Sequence, residues 1–185
     1  KKIDKKSKNN LKVQYTNSIS KIPKNSWDAL LGEYGIFDWE GLRFLEALFS
    51  KNKKKEENWG FHYYIFRDLM NKPVLATFFT YSLWKDDMLA PESVSRKVEE
   101  SRQQNPYLMT SNVLGMGSLF TEGNHMYLDT SHALWHEALL QMLNALEALD
   151  HKLNTKMLVF RDFIKDDKLH DFFHNHGFIQ VSMPD

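Results

Sequence analysis

Two short polar runs hold the residues best suited to chemistry: Asp129-Thr130-Ser131-His132 and Arg161-Asp162. Ser118 and Glu122 lie a little upstream of the first. An imidazole with an ordinary pKa near ~6.5 can take a proton from an attacking amine, so His132 is a candidate base. A helix start beside it would favour its neutral form. Glu122 is a second candidate base, or an anchor for an amine. Arg161 can hold a carboxylate or phosphate through its planar fork of donors. Asp129, Asp162 and Ser118 would complete a polar acceptor site. Thr130 and Ser131 bring hydroxyls and backbone N–H groups to a helix start, where anions bind. Each has a structural alternative: a capping His132, an Arg161–Asp162 pair closing a sheet edge, and Glu122 as a turn residue beside Gly123.

The surrounding periodicity places these residues. His125 to Leu128 reads as a short strand, Leu134 to His151 as an amphipathic helix, and Met157 to Phe160 as a second strand. Trp135, Ala138, Leu139, Met142, Leu143, Leu146 and Leu149 form one apolar stripe on that helix. A strand–helix–strand crossover makes the two strands parallel and neighbouring, and ligands sit beyond their carboxyl ends. Those ends carry Asp129 and Asp162, so the unit is expected to bring them together beside Arg161.

The rest of the chain supplies the frame. Leu11 to Ser20 alternates as a strand, with Leu11, Val13 and Tyr15 on one face. Ser26 is expected to cap a helix ending at Leu31, and Asp38 or Trp39 to start the next. Ser50 to Asn58 is a charged loop, in which Glu56 and Glu57 offset the run Lys53 to Lys55. Trp59 to Asp68 and Val74 to Trp84 read as an antiparallel hairpin, the second strand apolar on both faces and so central. Pro91 opens a polar helix to about Gln104, with only Val94 and Val98 to pack. Pro106 to Asn124 reads as a long irregular stretch. A last helix starts at Asp166-Asp167-Lys168 and ends at Gly177, and Phe178 to Ser182 reads as a final strand.

Composition narrows the function classes. The chain has 185 residues, 42% hydrophobic and 14% aromatic, enough for one domain with a real core. Its 24 basic and 24 acidic residues balance, which argues against non-specific nucleic-acid binding. There is no cysteine, so disulfides and thiolate catalysis are excluded. His132 and His136 are four apart, as are His170 and His174, with His176 near, but neither pair has the H-E-x-x-H order, and no metal site is expected. No apolar run is long enough for a membrane helix, and a cytoplasmic location is expected. Residues 1–10 read as a polar linker or a disordered end, and 11–185 as a single domain, complete or cut from a longer chain.

The stretches TEGNHMYLD, RDF and LHDFFHNHGF carry a resemblance. The tail MLVFRDFIKDDKLHDFFHNHGFIQV is similar to the end of an acyltransferase domain of the GNAT superfamily, most like its FemAB-like branch. That branch includes aminoacyl transferases of cell-wall peptides and acetyltransferase-type domains found with oxoamine synthases. The resemblance implies an α/β fold: a mixed, mostly antiparallel sheet, one parallel crossover, and helices on both faces. It implies acyl or aminoacyl transfer to an amine of a small molecule or peptide, with acyl-CoA as donor, or aminoacyl-tRNA in the FemAB manner. No permanently bound cofactor and no membrane partner are implied, while a second GNAT-like half or a fused enzyme domain is. A GNAT pyrophosphate loop has glycines and a Gln or Arg at the start of the crossover helix. Here Thr130-Ser131-His132-Ala133-Leu134 has no glycine and no cation. The alternative is a non-catalytic GNAT-like module that binds a ligand or docks a partner.

Overall fold

The computed structural model describes residues 10–33, 35–165 and 167–181. The expected linker, except Asn10, lies outside these residues, as do Asp166 and Ser182. Six strands and five helices follow in the order β1 (Leu11–Thr16), α1 (Lys24–Leu31), α2 (Trp39–Leu48), β2 (Gly60–Asp68), β3 (Pro73–Lys85), α3 (Glu92–Arg102), β4 (Thr110–Met116), β5 (Met126–Leu128), α4 (Trp135–Leu153), β6 (Met157–Val159) and α5 (His170–Asn175). The strands form one mixed sheet ordered β1-β2-β3-β4-β6, with β5 also paired to β3. Every pairing is antiparallel except β4 with β6.

The β2–β3 hairpin is the frame. Asp68 turns the chain, its carboxylate accepting from the Lys72 backbone N–H at 2.7 Å, and Asn71 takes the left-handed conformation the turn needs. The aromatic and branched residues of β2 and β3 are buried on both faces of the sheet. One face packs Trp27, Leu30 and Leu31 of α1 and Leu42 and Leu45 of α2 on Phe61, Tyr63, Ile65, Ala76 and Phe78. The other packs Ala138, Leu139, Met142, Leu146 and Leu149 of α4, with Phe172 and Phe173 of α5, on Leu75, Phe79, Leu114 and Met116. Central β3 is therefore apolar on both sides, as its sequence implies.

The crossover differs from expectation in one respect that matters for function. β5 does not pair with β6. β3 is 13 residues long and offers one edge to two partners in turn. Phe79–Lys85 faces β4, and Leu75–Thr77 faces β5. β4 and β5 are thus two halves of one strand line, interrupted by an excursion over residues 117–125. Both ends of the excursion are tied to β3: Gly117 N–H donates to Phe78 O at 2.9 Å, and Thr77 Oγ1 donates to His125 O at 2.9 Å. α4 then carries the chain back so that β6 lies parallel to β4, over Val113–Gly115 and Met157–Val159. The stretch read as irregular, Pro106 to Asn124, contains β4. Its Asn112, Gly115 and Gly117 hide the strand, and Gly115 is required because a Cβ there would lie 2.7 Å from the Trp84 ring.

Smaller corrections have local causes. Ser26 lies inside α1, which starts just after Pro23, so it caps nothing. Asp38 does cap α2, accepting from Gly41 N–H at 2.8 Å. Val13 and Tyr15 are about half exposed, because β1 is an edge strand. α5 begins only at His170, after the Asp167 carboxylate accepts from Leu169 N–H at 2.8 Å. It ends with Gly177 at φ +87°. Residues 178–181 form no strand, and Ile179 is 88% exposed. β6 spans only three residues, and the chain leaving it turns at Asp162 with φ +65°, so little edge remains to pair with. Among the described residues no helix is long and apolar enough to cross a membrane.

Candidate functional site

The parallel pair opens after Gly115 and Val159. Beyond that point the β4 line bulges into the 117–125 excursion, while the chain from β6 runs on through Arg161 and Asp162. Side chains from both strands meet in the opening. Arg161 Nη1 donates to Ser118 O at 2.8 Å, and Arg161 Nε lies 3.3 Å from Asp162 Oδ2. The same carboxylate oxygen is 3.4 Å from His125 Nδ1. His125 Nε2 is 2.8 Å from Thr121 Oγ1, which accepts from Ser118 N–H at 2.9 Å. Ser118, Arg161 and Asp162, all candidates from the sequence, thus lie together. Thr121 and His125 were not foreseen, because His125 reads as the first residue of a strand and Thr121 as part of a loop.

His125 is fully buried, its ring 4.7 Å from that of Phe37 and 5.7 Å from that of Phe78. Burial lowers its pKa to about 4; the Asp162 charge pulls it back up, Arg161 pushes it down, and Thr121 raises it. The imidazole is therefore neutral at neutral pH. A proton on Nδ1, facing Asp162, leaves Nε2 to accept from the Thr121 hydroxyl. Nδ1 sits at ion-pair distance from Asp162 but makes no hydrogen bond of good geometry. Gly117 makes room for the ring: at φ +73°, a Cβ would lie 2.6 Å from His125 Cδ2. Asp162 and Arg161 keep about a quarter of their side-chain surface exposed and form the mouth of the opening. Glu122 is exposed on the excursion, and its carboxylate makes no hydrogen bond or ion pair among the described residues.

Asp129 and His132 fall in a second cluster, at the hairpin turn. Asp129 Oδ2 pairs with Lys72 Nζ at 2.8 Å, and Asp129 Oδ1 accepts from Ser131 Oγ at 2.5 Å. These bonds, Lys72 first, lower the Asp129 pKa to about 2. His132 Nδ1 accepts from Leu134 N–H at 3.2 Å, so its Nε2–H donates to Asp68 Oδ2, also at 3.2 Å. Both ring nitrogens are thereby engaged. Asp129 and Asp162, expected side by side, are separated because β5 pairs with β3 and β6 with β4. No hydrogen bond or ion pair joins the two clusters among the described residues. Thr130 is exposed, and α4 starts five residues later, with no side-chain cap.

No group of three or more His, Asp or Glu side chains among the described residues is placed to hold a metal ion. No family model matches the chain, and no curated protein matches it. Among solved structures it is similar to the crystal structure of a possible acetyltransferase from Clostridium difficile 630. The TM-score is 0.45 and the identity 11%, over 93% of this chain and 92% of that one. Function is therefore read from the chain's own geometry.

Proposed function

We propose that the chain is an acyltransferase that moves an acyl or aminoacyl group from an activated donor to an amine. The observation that carries this reading is the opening of the parallel pair at Gly115 and Val159, where β4 breaks off and resumes as β5 along β3 alone. Such a gap lies at the carboxyl ends of parallel strands, where an extended ligand arm can be seated. The sequence resemblance to the GNAT superfamily and its FemAB-like branch points the same way.

In the reaction the amine nitrogen attacks the donor carbonyl carbon, the bond to the thiol or alcohol leaving group breaks, and the ammonium proton passes to a base. Glu122 is the favoured base, because its carboxylate makes no hydrogen bond or ion pair among the described residues whereas His132 has both nitrogens engaged. Asp162, Arg161 and Ser118 form the acceptor side. Backbone N–H groups stabilise the oxyanion. Acyl-CoA is the proposed donor, with Thr130, Ser131 and the hairpin-turn cluster around Asp129 nearest the α4 start; aminoacyl-tRNA is the alternative. Thermal shift with acetyl-CoA and free CoA, followed by mass-spectrometric detection of acylated amines, tests this. Absence of any shift at millimolar acetyl-CoA rules out the acyl-CoA version.

One observation favours a second reading, a non-catalytic module that binds a ligand or docks a second GNAT-like half or fused enzyme. Ser118, Thr121 and His125 are buried and hydrogen-bonded to one another through Thr121 Oγ1, and the helix start has neither glycine nor cation. Ligand binding without turnover across donors and amines supports that reading.

A further inference from the structure

The lysine-rich loop between α2 and β2 is not a loose solvated run. Asn52 and Asn58 brace it from within. Asn58 Oδ1 accepts from Asn52 N–H at 2.9 Å, and Asn58 Nδ2 donates to Asn52 O at 2.9 Å and Lys54 O at 2.6 Å. Asn52 Nδ2 donates to Leu48 O at 2.8 Å and Glu57 O at 2.6 Å. Trp59 closes the loop, its backbone N–H donating to Phe49 O at 3.0 Å and its indole N–H to Glu56 O at 3.0 Å. The loop is thus held in one shape, which costs conformational entropy that a merely solubilising segment need not lose.

The brace joins the loop to a stack of rings. Phe49 and Trp59 lie parallel, 3.7 Å apart and 4° from coplanar. Phe120, from the 117–125 excursion, lies 5.3 Å from Phe49 and 5.6 Å from Trp59, tilted by under 30° to both. It is nevertheless 57% exposed, so much of the ring faces solvent beside a firm aromatic backing. Leu48, Phe49, Asn52 and Glu57 line a shallow depression next to it.

The charge of the loop is unevenly committed. Glu57 pairs with Lys54 at 3.5 Å, and Glu56 accepts from the Tyr107 hydroxyl at 3.1 Å. Lys55 lies over the Tyr107 ring at 5.8 Å. Lys51 and Lys53 are exposed and have no hydrogen-bond or ion-pair partner among the described residues. Four lysines against two glutamates leave the segment 51–58 with net positive charge.

We propose that this surface binds a purine nucleotide, the base stacking on Phe120 and the phosphate meeting Lys51 and Lys53. A planar base stacks on an aromatic platform. A flexible ammonium is a competent point-charge partner for phosphate. Neither feature alone selects this ligand; a flat π-face and an anion on one small molecule match both. The site borders the excursion: Phe120 N–H donates to Ser118 Oγ at 3.2 Å, so occupancy would be felt there. It does not depend on the acyl donor proposed above.

Titration with adenosine monophosphate, followed by two-dimensional NMR on the whole chain, tests it. Adenosine and inorganic phosphate serve as separate arms. The expected result is a shift of the Trp59 indole and of backbone amides in 51–58, with the monophosphate binding more tightly than either arm. F120A weakens it by about tenfold. The surface variant K51E/K53E, which touches no packed residue, weakens the monophosphate and leaves adenosine unchanged, so the question stays decidable even if F120A fails to fold. Equal binding of adenosine and its monophosphate, or shifts elsewhere that neither variant alters, overturns the proposal.

Discussion

Acid should destabilise this protein through His125, by an amount that can be worked out. The unfolded imidazole has a pKa near ~6.5 and the folded one about 4, so below ~6.5 the unfolded state takes up a proton that the folded state refuses. Stability is therefore full above ~6.5, falls as the pH drops, and levels off below about 4, where the loss reaches roughly 3 kcal/mol. At about pH 5 the same relation gives a loss of about 2 kcal/mol relative to about pH 7.5. Other groups titrate over the same range, so the quantity to measure is a difference of differences. Urea denaturation of wild type and His125→Gln at both pH values should show wild type losing about 2 kcal/mol more than the variant. NMR of the ring should show no titration between those pH values. His62 gives a second instance: its pKa is also lowered to about 4 by burial and the Lys152 charge, and its Nδ1 is 2.9 Å from the Tyr15 hydroxyl. A His125 titration midpoint near ~6.5, or equal losses in wild type and variant, would refute the placement of the buried ring.

Gly117→Ala should cost about 2–4 kcal/mol in the same denaturation assay, from the left-handed backbone and the clash with His125; a loss under about 1 kcal/mol would mean the excursion is loosely packed. Arg102→Met should cost about 3–5 kcal/mol, because it strands buried Asp87 without the guanidinium that also donates to Leu108 O and Met109 O at 2.9 Å. Asp38→Ala should cost about 1 kcal/mol through loss of the α2 cap, read from the thermal midpoint. Glu122→Gln should leave stability within about 0.5 kcal/mol yet lower acyl transfer at least ~100-fold if the carboxylate is the base; unchanged turnover would remove Glu122 from the mechanism.

Legibility followed the strength of the local signal. The hairpin from β2 to β3 and the long helix α4 were readable because one is dense in aromatic and branched residues and the other has a continuous apolar stripe. β4 was not readable: Asn112, Gly115 and Gly117 weaken its strand signal, and the reason for Gly115 is the Trp84 ring packed against it from a neighbouring strand. The same tertiary cause divided the expected site. Arg161, Asp162 and Ser118 do lie together in space, but Asp129 was placed with them on the assumption that β5 pairs with β6. Pairing is decided by the length of β3, which accommodates both β4 and β5 along one edge. His125 was missed because a buried histidine at a strand start has the sequence appearance of any polar residue there.

The narrow parallel contact also sets where the sheet opens. β2 and β3 meet through near neighbours in the chain, whereas the parallel contact of β4 with β6 joins Val113 to Met157 across the whole of α4. A contact only three residues wide is among the first to be lost in partial opening. Amides of β6 and of the Arg161–Asp162 corner should exchange with solvent well before those of β2 and β3. The corner beside His125 is then an early-opening joint, while the hairpin behind it stays intact.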